Sequence, residues 1–109
     1  MSNRLKWSRS TIFYSNLAIV YADKDDFQQA LAYDQKAYDI RKRVLGTYSK
    51  DMAITYISLA EDYLHFNRND EAKECIIKAE EICKVIFENE DNELYQNVIH
   101  AKHVLGILD

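Results

Sequence analysis

The sequence has no proline and only two glycines among its 109 residues. Sheet-rich folds need frequent turn residues, so this scarcity excludes them and predicts an all-helical chain. The longest uninterrupted apolar run is LAIVYA at 17–22, which is far shorter than the roughly 20 residues that cross a bilayer. The first ten residues also lack the apolar stretch of a secretory signal. We therefore expect a cytoplasmic protein with no membrane span.

Basic residues and cysteines are also few. The chain has 14 Lys and Arg against 18 Asp and Glu, for a net charge of −4, whereas nucleic-acid binding needs a basic stripe. We therefore expect no nucleic-acid partner. If Cys75 and Cys83 share one helix, they lie about 12 Å apart along its axis, and a disulfide needs Cα atoms within about 7 Å. The spacing predicts two free thiols that act as small buried side chains in a reducing compartment.

An internal repeat accounts for most of the chain. Leu17 and Leu59 lie 42 positions apart, and the same offset aligns residues 12–42 with residues 54–84 without a gap. The matched positions are mostly apolar or small, as a buried seam requires. A fixed period between 20 and 50 residues is typical of stacked repeats.

Within each repeat, the apolar pattern changes phase once. The first stripe of repeat one has helical spacing and consists of Tyr14, Leu17, Ala18 and Tyr21. An Asp-rich segment, ADKDDF at 22–27, separates it from a second stripe, so each repeat is predicted to be a helix, a tight turn and an antiparallel helix. Asp25 and Asn67 occupy the turn position that favours left-handed backbone. The predicted helices span about 10–24, 27–45, 51–66, 69–88 and 92–108, and RLKWSR at 4–9 is expected to extend the first helix and to pack Trp7 on repeat one.

At these positions the chain resembles the tetratricopeptide repeat family. The family motif has a large residue at position 4, Leu at 7, a small residue at 8, Tyr at 11 and Ala at 20 and 27. The matching residues are Tyr14, Leu17, Ala18, Tyr21, Ala30 and Ala37, and then Tyr56, Leu59, Ala60, Tyr63, Ala72 and Ala79. The longer period and the VLG ending at 44–46 resemble the kinesin-light-chain-like repeats. Position 24, which is usually apolar, departs from the motif because it holds Asp34 in repeat one.

The resemblance implies an all-α domain over 1–109 in which antiparallel helix pairs stack into a right-handed superhelix. Repeat one covers about 10–46, repeat two about 51–88, and a capping or half-repeat helix about 92–108. The first helix of each pair then lines a concave groove. The residues that the resemblance places in this peptide-binding groove are Asn16, Ile19, Asp23, Ile57, Ser58, Glu61, His65, Ile99, His100 and His103.

The chemistry of these groove positions predicts a class of ligand. An amide such as that of Asn16 both donates and accepts, which suits the backbone of a bound peptide. Asp23 and Glu61 make the groove acidic, and a clamp for a carboxylate-ended peptide needs cations instead. We therefore expect a ligand with apolar anchors and a basic residue, bound over Ile19, Ile57 and Ile99, and we do not expect an acidic chaperone tail.

No catalytic, metal or cofactor motif is recognisable. The serines have no His and acid at a meaningful spacing, and no Gly-rich phosphate loop is present. His100 and His103 are helical neighbours, but no acidic or thiol ligand has a fixed spacing to them. ENEDNE at 88–93 lacks the glycine and the ligand spacing of a calcium loop. We expect a non-enzymatic protein without cofactor or metal, and a solvated segment that begins the last helix.

Two other functions stay open. Repeats need about three units for stability, and this chain has two and a half, so it is either part of a longer array or a scaffold that forms a homodimer through its open repeat ends. The other alternative is the peptide-sensing part of a regulator, as in similar bacterial repeats, although no basic helix-turn-helix segment is present. The leading hypothesis is a module that binds a peptide or a partner protein.

Overall fold

The computed structural model describes the backbone of residues 2–107 and the side chains of residues 12–107. These residues form five α-helices and no strand: α1 Ser2–Asp23, α2 Phe27–Leu45, α3 Lys50–His65, α4 Asn69–Ile86 and α5 Glu93–Leu105. Each helix packs against the helices that precede and follow it in the chain. The all-α repeat fold is confirmed, whereas the right-handed superhelix stays a prediction.

The turns inside the two helix pairs have the same backbone geometry. Asp25 and Asn67 have left-handed backbone, with φ of 61° and 57°. In each turn the N–H of the following residue donates to a tyrosine carbonyl five positions earlier, at 2.8 Å and 3.0 Å. These bonds satisfy carbonyls that a helix end leaves free, and short polar side chains tolerate the conformation. The prediction for both turns is confirmed.

Two predicted helix ends are wrong, and one helix begins ahead of its apolar stripe. The first helix begins at Ser2, because no proline or glycine upstream interrupts it. The extension over 4–9 is thus confirmed for the backbone, while the side chain of Trp7 lies outside the described residues. The fourth helix ends at Ile86 instead of residue 88, since Phe87 is extended, with φ of −116° and ψ of 136°.

The last helix ends at Leu105 instead of residue 108. Gly106 has left-handed backbone, with φ of 71° and ψ of 26°, and the N–H of Ile107 donates to the Lys102 carbonyl at 2.9 Å. This is the same type of helix ending as in the two earlier turns, here formed by the residue that adopts it most easily. Leu108, the last residue of the predicted helix, lies outside the described residues.

Alanine lines the contact within each helix pair. The six repeat-matched alanines are all buried: Ala18, Ala30, Ala37, Ala60, Ala72 and Ala79. Such small side chains let the two helices of a pair approach closely. The large buried side chains lie mainly in the second pair and α5, and include Met52, Ile76, Ile82 and Val98. The core is therefore centred on α3 and α4.

A buried ion pair joins α4 to α5. Lys102 occupies the motif position where the family has a small residue, and it is only 8% exposed. Its Nζ lies 2.6 Å from Oε2 of Glu80 on α4. Lys84 approaches the other oxygen of Glu80 at 3.9 Å from the solvent side. This charged contact thus links the last helix to the second helix pair.

Candidate functional site

The first helices of the successive units, α1, α3 and α5, share one side of the molecule, which we call the inner face. Two cavities lie along it, one of about 170 Å³ between α1 and α3, and one of about 430 Å³ between α3 and α5. Ile54 and Ser58 line both cavities. The two cavities are therefore adjacent parts of one groove.

The inner face brings together several of the residues that the sequence predicted for a groove. Ile19, Ser58 and Glu61 surround the first cavity, and Ile57 joins Ser58 in the second. Ile19 is 59% exposed although it is apolar. Asn16 and Asp23 are exposed on α1 but are not among the residues that line either cavity.

The three predicted histidines and Ile99 do not line the two cavities of the inner face. The ring of His65 stacks on Phe27, with ring centroids 3.5 Å apart and nearly parallel planes. Ile99 and His103 line a separate cavity of about 150 Å³ with Glu80 of α4. His100 is exposed on α5. The structure therefore does not gather the predicted α5 residues around the two cavities of the inner face.

The first cavity contains two buried acids that the sequence analysis did not assign to a site. Asp34 of α2 is 7% exposed and Asp62 of α3 is 4% exposed, and both line this cavity. The two carboxyl groups are close enough to share a hydrogen bond when one of them is protonated. Oδ2 of Asp62 is buried and receives no hydrogen bond from any residue that the structure describes. A buried polar atom without a partner is costly, which marks this cavity as unusual.

The environment of these acids keeps a proton on the pair. Burial raises the pKa of Asp62 to about 9, and the hydrogen bond and charge of Asp34 and the charge of Glu61 act in the same direction. Burial also raises the pKa of Asp34, against the opposing effects of the Asp62 hydrogen bond and the Arg41 charge. The pKa of Glu61 is raised by burial and by Asp34, and His65 partly offsets this. The pair therefore carries one proton near neutral pH.

Arg41 of α2 also lines this cavity. Its Nη1 donates to Oγ1 of Thr55 at 2.7 Å, and that hydroxyl donates to the Asp51 carbonyl oxygen at 2.7 Å. The guanidinium is thus held by α3. Among the described residues that line the cavity, three carboxyl groups face this one guanidinium, so the cavity is acidic overall.

A third cavity, of about 340 Å³, lies on the outer side between α2, α3 and α4. The hydroxyls of Tyr38 and Tyr56 are hydrogen-bonded there at 3.4 Å. Cys75 also lines it, and burial raises the pKa of this thiol to about 11. The thiolate that nucleophilic chemistry requires is therefore scarce at neutral pH. Both cysteines are free and buried on α4, as the sequence predicted.

The described residues contain neither a cluster of metal ligands nor a helix that could cross a membrane. Among them, no group of three or more His, Cys, Asp or Glu side chains is arranged to hold a metal ion. No helix within the described part of the chain is long and apolar enough to cross a membrane.

Comparison with known proteins gives one family match. The sequence model of the tetratricopeptide repeat matches residues 9–84, which is well over half of the chain and includes most of both helix pairs. No curated protein matches the chain. The match is to the repeat family as a whole, so the kinesin-light-chain-like subclass stays a prediction.

Proposed function

Because the chain belongs to the tetratricopeptide repeat family, we propose that it is a non-catalytic module that binds an extended segment of a partner protein along its inner face. Members of this family typically act in protein–protein interaction or as scaffolds. The observation that supports the groove as the binding surface is the pair of adjacent cavities that share Ile54 and Ser58. An extended chain laid across α1, α3 and α5 can occupy both.

The apolar residues of this face support the same proposal. Ile12, Ile19 and Ile54 are exposed in spite of their size, and Ile57 is half-buried beside them. Exposed apolar patches rimmed by polar groups commonly mark interaction sites. Ile19 and Ile54 are proposed as anchors for apolar side chains of the partner, while Asn16 pairs with its backbone. The acidic groups of the groove disfavour a carboxylate-ended ligand.

We also propose a protein partner, no nucleic-acid partner and a cytoplasmic location. The net charge of −4 supports a protein partner and argues against nucleic acid. Two free, buried cysteines support residence in the reducing cytoplasm. If the bound segment is a free signalling peptide, the same groove would serve the peptide-sensing part of a regulator.

The proposal can be tested by selecting binders from a library of displayed random peptides and measuring their affinity by fluorescence anisotropy. The groove variant is Ile19→Gln, and the matched control is Val85→Gln on α4, where the side chain is 64% exposed. Burying an isoleucine in a complex contributes about 1.5–3 kcal/mol, so the groove variant should weaken binding by roughly ten- to a hundredfold. The control should bind like the wild type. Equal effects of both variants, or no selected binder, would contradict the proposal.

Self-association is the second candidate, supported by a different surface. Phe13 is 60% exposed and Val20 is 46% exposed, and helical spacing puts both on one stripe of α1. They are not among the residues that line the α1–α3 cavity. A second copy of the chain, or a further repeat of a longer array, would cover this stripe. Sedimentation velocity over a dilution series tests self-association. A molecular mass that falls on dilution for the wild type, together with a monomer mass for the Val20→Glu variant, supports pairing. A constant monomer mass for the wild type rejects pairing.

A further inference from the structure

We propose that the cavity between α1 and α3 is a pocket for one cationic side chain, lysine or arginine, of the bound partner segment, with Asp62 and Asp34 as its counter-ions. This inference rests on the proposed function, because it names the chemistry of a residue that the groove would receive. It differs from the sequence expectation, which drew on Asp23 and Glu61 alone.

The buried carboxyl of Asp62 is the first reason. Its side chain is more than nine-tenths buried, it lines the cavity, and its Oδ2 receives no hydrogen bond from the described residues. A buried carboxyl oxygen without a donor leaves a binding capacity unused. Lysine and arginine supply the missing N–H donors together with a positive charge, and such charge-assisted hydrogen bonds are the strong ones.

The charge around the cavity is the second reason. The groups that face it are Asp34 and Arg41 from α2 and Glu61 and Asp62 from α3, with His65 close enough to Glu61 to affect its pKa. Arg41 is already bonded to Thr55, and the lining residues of α1 are uncharged: Ser15, Ala18, Ile19 and Ala22. A second cation would balance the excess of acids.

The size and lining of the cavity are the third reason. Its volume of about 170 Å³ is comparable to that of engineered cavities of about 150 Å³ that hold a benzene molecule. The end of a lysine or arginine side chain is of similar size. The apolar residues Ile19 and Ile54, which also line the cavity, suit the methylene stem of such a side chain. The partner's backbone can then run along the inner face while one side chain enters the pocket.

Cation binding in this pocket would be coupled to proton release. The carboxyl pair keeps a proton in the free protein, because burial raises the pKa of Asp62 to about 9. A guanidinium or ammonium group that enters the pocket favours the ionised form and displaces this proton. The affinity for the cation should therefore rise with pH, by up to about tenfold per pH unit between pH 7 and the pKa of the pair.

The test compares two peptides that differ only in charge, acetyl-isoleucyl-arginyl-isoleucine amide and its citrulline analogue. Citrulline keeps the shape of arginine without the positive charge. Binding is followed by NMR of the intact protein through the backbone signals of Thr55, Ser58 and Asp62. We expect the arginine peptide to bind at least about tenfold more tightly, with an advantage that grows from pH 6 to pH 8.

Two Asp→Asn variants, each of which removes one carboxyl group, locate the effect. Asp62→Asn removes the carboxyl whose buried oxygen has no hydrogen-bond donor, and Asp39→Asn removes an exposed acid of α2. The preference for arginine should disappear in the first variant and persist in the second. The comparison of the two peptides on the unmodified protein does not depend on any variant folding.

The possible results separate this inference from the proposed function. If both peptides bind equally and shift the signals of the inner face, the cation pocket is wrong while the groove stands. If the arginine preference is the same in both variants, general attraction to an acidic surface explains it and the pocket is wrong. Failure of both peptides to bind at millimolar concentration also rejects the pocket, and the library selection then decides the groove.

Discussion

Asp62→Asn should stabilise the protein by an amount that grows with pH. In the folded chain, burial, the hydrogen bond and charge of Asp34 and the charge of Glu61 raise the pKa of Asp62 from its ordinary value of 3.8 to about 9. The folded state therefore holds a proton that the unfolded state releases above pH 3.8. Stability linked to this group is fully present below pH 3.8 and is lost as the pH rises towards 9. Asparagine cannot ionise, so the variant escapes this loss.

The size of the effect follows from the same values. Between the pKa of the unfolded chain and that of the folded chain, the free energy of unfolding changes by about 1.4 kcal/mol for each pH unit. About three pH units separate 3.8 from neutrality, so Asp62 costs the fold at most about 4 kcal/mol at pH 7. The buried amide of asparagine has its own desolvation cost, although it can donate to Asp34. We expect a net gain of about 1–3 kcal/mol at pH 7.

Urea unfolding followed by circular dichroism at pH 5, 6, 7 and 8 measures the stability gained by Asp62→Asn and its dependence on pH. The gap between the wild type and Asp62→Asn should widen by about 1.4 kcal/mol for each pH unit. Asp39→Asn, which changes an exposed acid, should alter stability by no more than about 0.5 kcal/mol. Parallel pH curves for the wild type and the Asp62 variant would refute the reasoning, because they would show that Asp62 ionises in the folded protein as it does in water.

Three further substitutions test the packing, each by urea unfolding. Lys102→Met should cost about 2–4 kcal/mol, because it leaves the half-buried Glu80 on α4 with only the exposed Lys84, at 3.9 Å, as a counter-ion. Lys84→Met, which removes that exposed lysine, should cost at most about 0.5 kcal/mol. Similar losses in both variants would contradict the buried ion pair. Ile76→Ala should cost about 2–5 kcal/mol because the side chain is fully buried, and the exposed neighbour changed in Ile77→Ala should cost less than about 1 kcal/mol. Asn92→Ala should cost about 1 kcal/mol, since Oδ1 of Asn92 accepts from two N–H groups at the start of α5, and an unchanged midpoint would show that this cap contributes nothing.

The helix pairs and their turns could be predicted because local chemistry determines them. The helical stripe that contains Tyr14 and Tyr21 lies on α1, and the left-handed turn residues, Asp25 and Asn67, are where short polar side chains were expected. The extension of α1 over residues 4–9 could also be predicted, because a helix continues beyond its apolar stripe wherever nothing interrupts it. The ends of α4 and α5 were missed by two or three residues, which is the usual uncertainty of a boundary.

The acidic pair could not be predicted from the sequence. Asp34 was visible as a polar residue at a usually apolar position, but its partner lies on another helix of the next repeat. Whether Asp62 meets it depends on how α2 packs against α3, which no local pattern encodes. The stacking of His65 on Phe27 also depends on how α2 packs against α3, because it joins the end of α3 to the start of α2. Contacts between repeats decide these details of the site.

The two buried thiols give the protein an internal probe of its own opening kinetics. Both Cys75 and Cys83 are buried, and burial also raises the pKa of each thiol, so an alkylating reagent modifies either one mainly after local unfolding. Cys83 lies near enough to Tyr95 of α5 to influence the pKa of that phenol, whereas Cys75 lines the outer cavity between α2 and α4. The labelling rates of the two thiols would therefore time the separation of α5 from α4 independently of opening at the junction of the two repeats.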